Sequence, residues 1–118
     1  MEINKIHEDD RRKISLLSGL IDKDREFTII HLKKGKAIGG CVHQEVEHMC
    51  LIDGSMFVTI GSVHESLIAG DAREIGPMAP HMFHAKEDCI ILEWGVKPED
   101  KGEHDAEMRS EVNEINEG

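Results

Sequence analysis

From Phe27 to Val96 the chain alternates short apolar or β-branched stretches with breaks rich in glycine, proline and aspartate. Phe27–Leu32 is β-branched and predicts a strand. Lys33–Lys36 reads as a turn into a second extended segment, Ala37–His43, with Gly39-Gly40 where the backbone must bend or be approached closely. Val46–Ile52 and Ser55–Ile60 flank Asp53-Gly54, a pair that suits a type I′ hairpin turn. Gly61-Ser62 turns into Val63–Ile68, and Ala69-Gly70-Asp71 turns into Ala72–Ile75. Gly76–Pro80 predicts a rigid loop before the last two strands, His81–Ala85 and Cys89–Val96. Turns at this spacing between short strands indicate an all-β sandwich or barrel.

The ends read differently. Residues 1–13 are polar and predict mostly loop, and Ile14–Ile21 is too short to decide between a short helix and an edge strand. Lys97–Gly102 marks a boundary, so the division expected is a β domain over 1–98 and an acidic helix or tail over 99–118. In that tail Met108, Val112 and Ile115 fall at i, i+4 and i+7, one narrow apolar stripe on a helix.

The 118 residues suffice for one domain. The net charge of −10 argues against a general affinity for nucleic acid or anionic membrane. Residues 99–118 hold eight acids and two bases, so the tail carries most of that charge. No apolar run is long enough to span a bilayer, and the first residues have no signal-peptide pattern. Three cysteines without CxxC spacing argue against a disulfide framework and for a reducing, cytoplasmic compartment. Strands apolar on both faces, Cys50-Leu51-Ile52 and Ile90-Ile91-Leu92, predict a homodimer that covers the outward face.

Chemistry concentrates between Gly40 and Gly54. If that stretch is one unbroken strand, Cys41, His43, Glu45 and Glu47 share a face, with Glu45 at the solvated rim. His48 and His84 have the opposite parity to His43 and His81 and are expected to face outward. Pro80-His81 delivers a histidine from a proline-fixed loop to the start of a strand.

This segment resembles the first motif of the cupins, G-x5-H-x-H-x3–4-E-x6-G, with Cys41 in the place of its first histidine, His43 in that of the second, then Glu47 and Gly54. Gly70 to His81 resembles the second motif, G-x5-P-x-G-x2-H, with Gly76 at the proline and Ala79 read in the glycine place. The resemblance covers residues 26–96. It implies a cupin-type jelly-roll β-barrel, to which the apolar stripe adds a short C-terminal helix, and a divalent transition metal (Fe²⁺, Zn²⁺, Mn²⁺ or Ni²⁺) held by His43, Glu47 and His81, with Cys41 either a fourth ligand or a small buried packing residue that leaves a three-ligand site. Two imidazoles and a carboxylate leave positions open for substrate, and a thiolate would favour zinc or iron over magnesium or manganese.

Asp9–Ile14 and Phe27–Gly35 look like the lead-in of small cupins of sugar-nucleotide and polysaccharide metabolism. The expected function is therefore an enzyme acting on a small polar oxygenated or carbohydrate-like molecule. The alternatives are a metal-free sugar-nucleotide isomerase or epimerase and a non-enzymatic binding protein. The absence of tyrosine argues against the epimerase scheme that needs a tyrosine acid. Few aromatic rings offer little surface to stack a nucleobase, which shades the ligand towards something small.

Overall fold

The computed structural model describes residues 1–118, the side chain of Pro98 excepted. Ten strands and one helix follow in order: β1 Glu2–Glu8, β2 Arg12–Ser18, β3 Glu26–Leu32, β4 Ala37–Cys41, β5 Glu47–Asp53, β6 Ser55–Ile60, β7 Val63–Ile68, β8 Ala72–Ile75, β9 His81–Ala85, β10 Cys89–Trp94 and α1 Ala106–Glu117. They form a six-stranded sheet, β1-β2-β3-β10-β5-β8, facing a four-stranded sheet, β4-β9-β6-β7. All pairings are antiparallel. This is a jelly-roll sandwich.

Alternation places one residue in two between the sheets. Ile30 and Leu32 of β3, Met49 and Leu51 of β5, and Cys89 and Ile91 of β10 meet Met56, Val58 and Phe83 from the other sheet in one buried core. Helix α1 packs on the outer face of the four-stranded sheet. Its Met108 and Val112, with Ile115, close over Ala37 and Met82 in a second apolar cluster. Asp105 caps the helix by accepting the Met108 N–H. At the far end Asn116 accepts the Ala37 N–H at 2.7 Å and donates to the Ala37 carbonyl at 2.8 Å.

Three expectations are corrected. Residues 2–8 form an edge strand, not loop: β1 pairs with β2 although all its residues are exposed, so backbone hydrogen bonds rather than an apolar face hold it. The segment around Ile14–Ile21 is neither a helix nor an edge strand. Its first part is β2, between β1 and β3, with Arg12 and Ile14 on the inward parity. Asp53-Gly54 does not close a hairpin, because β5 and β6 belong to different sheets and the chain crosses there from one to the other. Gly54 has φ 91°, and a Cβ on it would stand 2.3 Å from the Asp88 carbonyl oxygen. A glycine is needed at this corner for close approach and for the left-handed backbone alike.

Candidate metal centre

Glu47 opens β5 and points inward by the same alternation that buries Met49 and Leu51. His81 opens β9 after the Gly76–Pro80 loop, where Met78 has φ 60°, alone among the described non-glycine residues in the left-handed region. The residue that takes the motif's glycine place is thus Met78, three before His81, and not Ala79. His43 does not share a strand with Glu47, as alternation from Cys41 would require. It lies in the loop between β4 and β5, whose return brings the ring back over Glu47.

The three side chains are buried and converge. The Nε2 atom of His43 is 3.4 Å from Glu47 Oε2, and that of His81 is 3.6 Å from Oε1. One set of ligand atoms from the three lies within 4.8 Å of one another. Each imidazole is oriented from its other nitrogen. His43 Nδ1 lies 3.0 Å from the Glu45 carbonyl, and His81 Nδ1 lies 3.1 Å from the Ala79 carbonyl. A carbonyl can only accept, so each Nδ1 carries a proton, and in its neutral form each ring presents an Nε2 lone pair inward. Two imidazole Nε2 atoms therefore face a carboxylate between the sheets. Glu47 Oε1 and His43 Nε2 are buried without a hydrogen-bond partner among the described residues, and Glu47 Oε2 is met only by the Lys101 ammonium at 3.1 Å. Two donors about 2.1 Å from one ion and at roughly 90–110° to each other stand about 3.0–3.4 Å apart. The observed separations lie at or just above that range, and acceptors facing acceptors call for a cation between them. The residues fit a metal ion, with outer carbonyls setting the ring tautomers as at metal sites generally.

The fourth candidate, Cys41, is not brought into this cluster. It ends β4 beyond a register shift at Gly39–Cys41 and its backbone bridges to His104, which leaves its half-buried thiol on the wall of the neighbouring cavity. Burial pushes that thiol's pKa up, against the pull of Lys101 and Arg109. Glu45 is exposed. His48 is half-buried against Trp94, ring on ring at 5.4 Å, and half-buried His84 lies beside Phe57.

Two charged residues join the site that sequence reading missed. Glu93 of β10 is buried next to Glu47, and Lys101 reaches both, 3.1 Å from Glu47 Oε2 and 3.2 Å from Glu93 Oε1. Burial works to raise the pKa of Glu47, but His81, Glu93 and Lys101 outweigh it and hold the carboxyl well below the usual range. Burial drives Glu93 the other way, up to about 8, with Lys101 opposing and Glu47 reinforcing. Glu93 carries a signal in the sequence, since it shares the inward parity of Cys89 and Ile91. Lys101 carries none.

Glu47 and His81 form part of the wall of a cavity of about 250 Å³ between the sheets, with Arg12, Arg109, Glu93 and Lys101 also on its walls. A larger cleft of about 420 Å³, between Arg25 and Lys97, contains no comparable cluster.

No family model matches the chain, and no curated protein matches it. Solved structures do. A cupin described as RmlC-like, from Shewanella frigidimarina, superposes with a TM-score of 0.66 at 22% identity, over 84% of this chain and 86% of that one. KdgF from a Halomonas species gives 0.67 at 13% identity, over 81% and 89%. A variant of oxalate decarboxylase from Bacillus subtilis gives 0.71 at 19% identity over 87% of this chain, which matches 30% of that longer one. At such identities the likeness is one of architecture, and it agrees with the two antiparallel sheets described above. The chain has the jelly-roll fold that these cupins share.

Proposed function

We propose that the chain is a metal-dependent enzyme that binds one divalent transition ion through His43, Glu47 and His81 and acts on a small, polar, oxygenated molecule. The observation that carries this reading is the buried, convergent set of two imidazole Nε2 atoms and a carboxylate, in which His43 Nε2 and Glu47 Oε1 have no hydrogen-bond partner among the described residues and only Oε2 is met, by the Lys101 ammonium at 3.1 Å. A bound divalent ion would supply Lewis acidity towards an oxygen of the substrate. The protein supplies the rest. The loop carbonyls of Glu45 and Ala79 fix the rings, Lys101 offsets the buried carboxylates, and the apolar sheet faces exclude bulk water. The fold is shared with an enzyme, oxalate decarboxylase, which supports catalysis as a use of such a cavity.

The test is metal content. Untagged protein exchanged against Fe²⁺, Zn²⁺, Mn²⁺ or Ni²⁺ should hold one ion per chain by elemental analysis. His81→Ala and Glu47→Gln should each weaken binding more than about 100-fold, beyond the roughly 10–100-fold typical of supporting residues, while keeping a β-rich circular dichroism spectrum. Stoichiometric metal in His81→Ala would overturn the ligand assignment. A wild-type protein that takes up none of the four ions would overturn the metal reading itself.

A further inference from the structure

The wall of the cavity beside the metal cluster carries more cationic than acidic side chains. Three cationic side chains, Arg12, Lys101 and Arg109, stand against two carboxylates, Glu47 and Glu93. Lys101 is committed to both carboxylates. Arg109 donates from Nη1 to the Gly39 carbonyl at 2.9 Å, a neutral acceptor that leaves its charge unbalanced. The Arg12 side chain makes no hydrogen bond or ion pair among the described residues, and Asp9 acts on its charge only at longer range. Arg12 belongs to β2 and, pairing with Leu32 in register, it has the inward parity of Ile14 and the buried strand β3. Its Nε is buried with no hydrogen-bond partner among the described residues, and none of their ion pairs includes it. A desolvated guanidinium N–H without an acceptor costs free energy that a bound anion would recover. A divalent ion at His43, Glu47 and His81 adds to the surplus.

We infer that the cavity takes a small carboxylate, held by Arg12 with Arg109 on one side and open to the metal cluster on the other. The inference rests on the reading of this cavity as the functional site. A planar carboxylate matches the guanidinium fork, and its single charge suits a cavity that already holds Glu47 and Glu93. Phosphate, with up to two charges and more oxygens to satisfy, suits it less. The volume of about 250 Å³ lies below the roughly 300–1,000 Å³ of sites for drug-sized ligands. Ile14, Ile30, Ile38 and Phe83 leave the rest of the wall apolar, so the acid is compact.

Isothermal titration of metal-loaded and metal-free protein with acetate, glycolate, lactate and malonate, and with acetamide and lactamide as uncharged controls, tests this. At least one carboxylate should bind and the amides should not. Arg12→Gln should weaken that binding at least tenfold with metal stoichiometry unchanged. Arg12→Lys should fall between the two, and it provides the reading if Arg12→Gln does not fold. Four results would overturn the inference: no carboxylate bound by either form, amides bound equally well, unchanged affinity in Arg12→Gln, or inorganic phosphate bound more tightly than every carboxylate. Failure of the metal reading looks different. In that case wild type holds no ion, yet metal-free protein still binds the carboxylate and loses it in Arg12→Gln.

Discussion

Two residues at the Gly39-Gly40 end of β4 show how a single backbone irregularity decides which side chain reaches the site. After the register shift, Cys41 faces the cavity wall and His43, two residues on, sits in a loop that returns the ring over Glu47. A continuous strand would have delivered both side chains to the same face. The thiol therefore stands outside the set of atoms that could share an ion. Cys41→Ser should retain one metal ion per chain, with affinity within about threefold of wild type in a competition assay with a chelator. A loss as large as that of His81→Ala would show that the thiol moves in to ligate. The histidines and Glu47 were legible from motif spacing alone. Arg12 was not, because its flanking residues give no periodic signal and the strand it sits on is recognisable only once β1 and β3 lie beside it.

Among the elements, those between Phe27 and Trp94 were readable because each apolar run ends at a residue that cannot continue a strand. What could not be read was which strands pair. Asp53-Gly54 has the composition of a hairpin turn, and only the packing of β10 against β5 shows that β6 leaves for the other sheet. The same corner gives a stability prediction. Gly54→Ala places a methyl group 2.3 Å from the Asp88 carbonyl oxygen at φ 91°. It should lower unfolding free energy by at least about 2 kcal/mol in a denaturant titration, from steric displacement and left-handed strain together. The β1–β2 turn gives a pH prediction. Asp9 Oδ1 accepts the backbone N–H groups of Arg11 and Arg12, while Oδ2 meets His7 and the Arg11 guanidinium. Slight burial works to raise its pKa, but these partners outweigh it and hold the carboxyl well below the usual range. A group depressed on folding adds stability that is fully present above its unfolded value, near 3.8, and is lost as pH falls through the folded one. Asp9→Asn should therefore flatten the loss of stability below about pH 4, and an unchanged acid limb would show that the turn contributes nothing to it.

For the whole molecule, the outer faces of the two sheets are treated differently. Helix α1 covers the four-stranded sheet. On the six-stranded sheet, Ile29, Leu92 and Cys50 lie in one cross-strand row, half-buried and opposite in parity to the core, with Ile52 exposed at 51%. We propose that a second copy of the chain covers this row, the C₂ arrangement being the commonest for soluble chains. Light scattering at micromolar concentration should give twice the 13.3 kDa of one chain, and Ile52→Glu should return it to that mass. A monomeric wild type would overturn the proposal.

The position of Lys101 bears on how the molecule is made. Its ammonium lies between two carboxylates contributed by β5 and β10, yet it comes from the segment after the last strand. On the ribosome, Glu47 and Glu93 are therefore synthesised before their counterion. Without residue 101 in place, closing the sandwich would bury the Glu47 carboxylate without its ammonium partner, a cost that favours an open state. Closure of the interior is therefore tied to docking of the linker that follows the ten strands, because a sandwich closed without it would hold the Glu47 carboxylate with its counterion missing.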